Sequence, residues 1–324
     1  MFSNIFRPLP VGALAEEYPI TSFDIGSRGG FQSDLSPIAF AVNAIGFEPD
    51  PAAYEDVKSS QDKKWRSVSL FREGVSGKSG MRTLYVPEDP QSASLLKHDP
   101  TIGQKFSKPQ FFELVRTEGV STITLGEALD RTHHSTIDYL KIDIEGAELE
   151  VFESSQDILE EALAVKTEIS FIPFRSGQPL ANDVERYLLS QGFELMDIIG
   201  PRHWRRHGYL VHPYYSPEVP PYTRAQIVQA DYLMFRSPIT LQGKPAKQVQ
   251  LAVIAMALGY FDHALMILES AEAAEHLRDE FGLTPLEVVA PASNLYGRKA
   301  FLHSFYEQIR GLVPFLRYTR NLLP

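Results

Sequence analysis

The chain has 324 residues, 44% of them apolar, enough to bury a large core in one domain or in one domain with an appendage. A net charge of −10 speaks against a nucleic-acid backbone or an anionic membrane as the main partner, because both demand clustered Lys and Arg. With no cysteine present, disulfides, thiolate metal sites and a cysteine nucleophile are excluded.

Residues 1–20, "MFSNIFRPLPVGALAEEYPI", break an apolar run with prolines and then turn acidic. That is a leader rather than a signal peptide, and it predicts a cytoplasmic protein. "ITSFDIGSRGGF" reads as a strand ending at Asp24 and a glycine-rich turn, and "NAIGFEPDP" as a second strand ending at Glu48. A helix over Ala52–Lys63, a strand "RSVSLFREGVS", the turn "SGKSG" and a strand "MRTLYVP" follow. Residues 88–118 read as polar and irregular, and "GVSTITLGEALD" resumes with a short strand and a helix start. The strand "IDYLKIDIEG" leads into one helix, "AELEVFESSQDILEEA", with Leu149, Phe152 and Leu159 on its apolar face. Then come a strand "LAVKTEISF", a helix "LANDVERYLLSQG" stopped by glycine and a strand "FELMDII". A polar and aromatic loop over 200–224 precedes the last strand, "ADYLMFRS".

Strands alternating with helices predict a doubly wound, mostly parallel α/β sheet over residues 21–237. From residue 238 the pattern is helix only, and "ALGYFDHALMILESA" resembles the middle of a tetratricopeptide unit. One such hairpin cannot bury its own apolar face, so the extension over 238–324 is expected to pack on the main domain or to self-associate. The longest apolar stretches fall well short of the roughly 20 residues of a membrane span.

In such a sheet ligands bind beyond the carboxyl ends of the strands, where the strand order reverses. Asp24, Gly26 and Gly30 form a D-x-G-x-x-x-G turn in that position, and Glu48 stands where an acid would accept both ribose hydroxyls. A dinucleotide turn, G-x-G-x-x-G, would need its second glycine at Arg28. The acid-first form suits a nucleoside with an amino acid tail and no phosphates, the composition of S-adenosylmethionine. Asp143 and Glu145 emerge at the end of their strand beside this site, and Lys141 lies lower on the same face. Alternatively, Asp143 caps the next helix and Lys141 pairs with it. His133 and His134 lack a partner set for a metal, so none is expected. His203, Arg205, Arg206 and His207 beside Trp204 read either as a lid over an anionic or sugar acceptor or as a solvated hairpin tip.

"DYLKIDIEGAELEVFES" closely resembles the hallmark segment of FkbM-type methyltransferases. "FDIGSRGG", "IGFEPDP", "KTEISF" and "QSASLL" stand where that family has its cofactor turn, ribose acid, fifth-strand glutamate and serine-containing segment. The resemblance runs from about Thr21 to Arg236. It implies a seven-stranded class I methyltransferase sheet, S-adenosylmethionine as donor, and transfer to an oxygen on a sugar, a glycan or a natural-product scaffold. It also implies Asp24 at the amino acid end of the donor, Gly26 and Gly30 at its backbone approach, Glu48 at the ribose, and Gly74 and Val75 near adenine. Asp143, Glu145 and Glu168 are then the candidate general bases. Arg28 departs from the family's small or amide-bearing residue, and the helical extension is no part of its core. The competing readings are a non-catalytic scaffold that binds partners through its tail, and a nicotinamide-dependent oxidoreductase, which Arg28 opposes.

Overall fold

The computed structural model describes residues 2–59, 63–210 and 224–320, with side chains as far as 310. In chain order the helices and strands are α1 (Pro10–Glu17), β1 (Ile20–Ile25), β2 (Val42–Phe47), α2 (Pro51–Ser59), β3 (Ser67–Phe71), β4 (Gly74–Val75), β5 (Gly80–Pro87), α3 (Pro100–Phe106), β6 (Leu114–Ile123) and α4 (Leu125–Asp130). They continue with β7 (Tyr139–Ile142), α5 (Glu148–Glu153), α6 (Gln156–Glu161), β8 (Ala164–Ser170), α7 (Ala181–Ser190), β9 (Phe193–Trp204), β10 (Gln226–Arg236), α8 (Pro245–Ala257), α9 (Phe261–Leu268), α10 (Ala271–Phe281) and α11 (Pro285–Arg320). Two compact units result: one from residues 20–32 and 42–242, the other from 1–19, 33–41 and 243–324.

The first unit is built on a seven-stranded sheet of order β3-β2-β1-β7-β8-β10-β9. The five strands from β3 to β8 are parallel, and β10 runs antiparallel to both β8 and β9. This is the doubly wound, mostly parallel seven-stranded sheet expected of the sequence. Its order reverses between β1 and β7, and the register levels the strand ends there. Ile25 stands beside Phe47 on one side and Ile142 on the other, and Ile142 beside Thr167. The next residue of each strand, Gly26, Glu48, Asp143 and Glu168, therefore falls on one row at the sheet's upper edge. Below that row Phe23, Ile25, Ile45, Phe47, Leu140, Ile142 and Val165 form the core. Buried on both faces, these strands carry runs of apolar residues instead of strict alternation.

Several elements differ from the sequence-based expectation. The segment "RSVSLFREGVS" is divided, because β4 leaves the main sheet and joins β5 and β6 in a small separate one. Residues 88–118 contain α3, which begins where the Asp99 side chain accepts the Thr101 N–H and Pro100 fills the first helical position. A single helix was expected after the hallmark strand, but the chain breaks at Ser154–Ser155, where the Ser154 hydroxyl bonds the Val151 carbonyl and competes with the helical ladder. β9 runs on to Trp204 through residues expected as loop; it is an edge strand, paired antiparallel with β10 through several register shifts.

In the second unit, α8 is buried from Leu251 through Ala257, which fits a sequence apolar on all sides. Gly259, with φ of +92°, turns the chain into α9, and the Ser270 hydroxyl caps α10, so three helices stand where two were expected before α11. The leader supplies α1, whose Val11, Leu14 and Ala15 are buried, and Tyr18 meets the His276 ring at 2.7 Å. Among the described residues no helix is long and apolar enough to cross a membrane.

Candidate active site

At the reversal point the first unit holds a cavity of about 350 Å³, within the usual range for a small-molecule site. One half is lined by Gly26, Arg28, Gly29, Glu48, Gly74 and Val75; the other by Asp143, Glu145, Glu168, Arg175, Arg202 and Trp204.

Lys141 joins the two halves. Its Nζ lies 3.1 Å from Asp24 Oδ1 and 3.7 Å from Asp143 Oδ2, and it donates to the Gly26 carbonyl at 3.0 Å. Burial weakens the ammonium, but Asp24 and then Asp143 outweigh that, so its pKa stands above the ordinary lysine value. Asp24 spends its other oxygen on the Gln32 N–H at 2.8 Å, which ties down the glycine turn. Asp24, which is buried, and Gly30 are not among the residues that line the cavity. Gly26 has φ of +79°, and a β-carbon there would sit 1.9 Å from the Asp143 carbonyl oxygen, so only glycine lets β1 and β7 end so close together.

Glu48 is buried at the end of β2, its Oε1 accepting the Asp50 N–H at 2.9 Å while Oε2 takes no hydrogen bond among the described residues. Burial raises its pKa. Arg28 lines the cavity and folds against the acids, 3.0 Å from Asp50 and 4.0 Å from Glu48, and Arg116 reaches Asp50 at 3.3 Å. The built positions for β-carbons at Gly29 and Gly30 meet nothing within 4 Å, and both glycines have positive φ. The Gly29 backbone, which lines the cavity, and a buried acid with a free oxygen suit the tail and the sugar of a nucleoside that carries an amino acid.

Across the cavity, carboxylate oxygens of Asp143, Glu145 and Glu168 lie within 4.8 Å of one another, close enough to share one cation. Glu145 adopts φ of +60°, unusual for a non-glycine residue, and is held there by an ion pair with buried Arg175 and by the Ser94 hydroxyl, which donates to its carbonyl at 2.8 Å. Burial lifts the Glu145 carboxyl above the usual range despite Arg175. The Glu168 carboxyl has no hydrogen-bond or ion-pair partner among the described residues; burial first, then Asp143, Glu145 and Glu148, raise its pKa well above the ordinary value. Asp143 does not cap α5. That turn is closed by Glu148, buried, whose Oε1 accepts the N–H groups of Ile144 at 3.0 Å and Gly146 at 3.1 Å. Trp204 is no solvated hairpin tip: it packs among Phe106, Phe111, Phe112 and Phe174, with the Phe111 ring stacked at 6.1 Å. His207 is anchored to the α3 segment through Lys105 and Ser107. Residues 211–223 of the expected lid lie outside the described residues. Sequence reasoning missed Arg175 and Arg202, since nothing local marks a loop or edge-strand arginine that turns inward.

Residues 32–195 match the FkbM methyltransferase domain, half of the chain. The chain belongs to that family. The match includes every cavity acid of this methyltransferase and both Gly74 and Val75, while the Asp24–Gly30 turn lies just before it. Solved structures to which the methyltransferase is similar include a putative RNA methyltransferase from Pyrococcus horikoshii, with 8% identity, 70% of this chain and 81% of that one covered, and a TM-score of 0.29. Precorrin-6y C5,15-methyltransferase from Geobacter metallireducens shows 10% identity, covering 70% and 87%, with a TM-score of 0.31. A TehB-like methyltransferase from Corynebacterium glutamicum shows 8% identity, covering 69% and 86%, with a TM-score of 0.26. None of the curated proteins compared with the chain matches it.

Proposed function

We propose that this methyltransferase moves a methyl group from S-adenosylmethionine to a hydroxyl oxygen of a sugar, glycan or natural-product acceptor. The observation that carries the proposal is the single cavity joining the Glu48 half to the Asp143, Glu145 and Glu168 half. When bound, the donor supplies an electrophilic methyl on a cationic sulfur. Glu48 accepts the ribose hydroxyls through its free oxygen, and Gly74 and Val75 lie against the adenine. Asp24 serves the amino acid end by fixing the turn through Gln32 and Lys141, where Gly26 and Gly30 allow the backbone close approach.

Of the three acids, Glu168 is the best general base. Glu145 is committed to Arg175, and Asp143 shares Lys141, whereas the Glu168 carboxyl has no partner among the described residues, and its raised pKa suits a proton acceptor. Asp143 and Glu145 hold negative potential where the positive sulfur belongs, and the cavity walls hold the two reactants at attack distance.

Calorimetric titration with S-adenosylmethionine and its demethylated product, beside Glu48→Ala and a parallel titration with NAD, tests the donor. Micromolar binding lost in the variant supports the proposal. Binding of NAD alone would favour an oxidoreductase, and binding of neither a scaffold.

A further inference from the structure

We propose that the outer half of α11 is an interfacial helix that lies on an anionic lipid surface. In this helix Phe301, Leu302, Phe305, Tyr306 and Ile309 are all exposed, by 49 to 68%. Their spacing of i, i+1, i+4, i+5 and i+8 gathers them on one arc of about 140°, at 100° per residue. Lys299 and Arg310 border one side of that arc, Arg298 falls on it one turn before Phe301, and His303 and Glu307 lie beyond it. Five large apolar side chains on one side of a helix form a patch of the kind a water-facing surface rarely keeps.

Charge selects the occupant. Between residues 298 and 320 the sequence carries Arg298, Lys299, Arg310, Arg317 and Arg320 against Glu307 alone, within a chain of net charge −10. The acidic total thus conceals a cationic terminus. An apolar face edged by cations fits acyl chains beneath negative headgroups. Two copies of so cationic a segment would repel along a shared seam, which disfavours a second copy of this chain. The helix lies on the surface and does not span it, in keeping with the lack of a spanning helix among the described residues.

Flotation of the full-length protein with vesicles tests this. Vesicles of phosphatidylglycerol in phosphatidylcholine are expected to carry the protein, and to lose it as salt rises. Lys299→Gln and Arg310→Gln should each weaken binding about fivefold. Phe305→Asp with Ile309→Asp should abolish it while the circular dichroism spectrum is unchanged, because both side chains are exposed. Failure to float with the anionic vesicles would overturn the proposal, as would equal binding to phosphatidylcholine alone. Concentration-dependent sedimentation removed by Phe305→Asp would also overturn it, marking the face as a contact between copies.

Discussion

Glu148 closes the turn that presents Glu145, and burial pushes its carboxyl up to about 7 from an ordinary 4.5. Between those values the folded chain holds a proton that the unfolded chain has released, so this group makes stability fall as pH rises from about 4.5 to about 7. The total is about 3 kcal/mol at about 1.4 kcal/mol per unit. Glu148→Gln keeps the oxygen that accepts the Ile144 and Gly146 N–H groups and removes the ionisation. Denaturant titrations at pH 5 and pH 8 should show the variant gaining on the wild type at the higher pH by up to that amount; an equal difference at both would mean the carboxyl ionises normally. Glu168 carries the opposite requirement, since a general base must be ionised. Methyl transfer should rise with pH through its elevated pKa, and Glu168→Gln should lower kcat by about 10²–10⁴-fold, flatten that rise and leave donor binding intact. A fall in donor affinity with unchanged kcat would assign Glu168 to binding.

Arg236 governs how elements end. Buried at the close of β10, it donates from Nε to the Ala162 carbonyl at 3.0 Å and from its other nitrogens to the Leu159 and Gln191 carbonyls, at the last turns of α6 and α7. Its guanidinium also covers the Phe193 ring at 3.9 Å. Burial brings its pKa down to about 10, still charged at neutral pH. Helix ends leave carbonyls short of partners, and a single side chain bonds three of them here. Arg236→Met keeps the stem but removes all three bonds, leaving the Leu159 carbonyl with only the Ala162 N–H, and should cost about 3 kcal/mol, read as a lower denaturant midpoint with unchanged slope. A loss below about 0.5 kcal/mol would show that water replaces the arginine.

Over the whole molecule, two compact units with separate cores predict two unfolding transitions in calorimetry. A ligand that binds only the folded first unit stabilises it by about 2.7 kcal/mol at one hundred times its Kd, a rise of roughly 5–10 °C. S-adenosylmethionine should therefore raise one transition and leave the other in place. A single transition that moves as a whole would mean that the units unfold together.

Local chemistry made much of this readable from the sequence. Asp24, Gly26, Glu48 and the hallmark segment sit within short stretches whose composition states their need: a positive φ, an acid at a strand end, a turn into a helix. The parallel sheet followed from alternating strands and helices, and the family from the hallmark. Only the tertiary structure decided which charges meet. Lys141 prefers Asp24 to Asp143 because strand register, not sequence distance, puts Asp24 beside it. Arg175 comes from a loop 30 residues after its partner Glu145, and Arg28 turns onto Asp50 from the glycine turn. Charge pairing depends on distances that the fold sets across the sheet, so the residues were visible in the sequence and their partners were not.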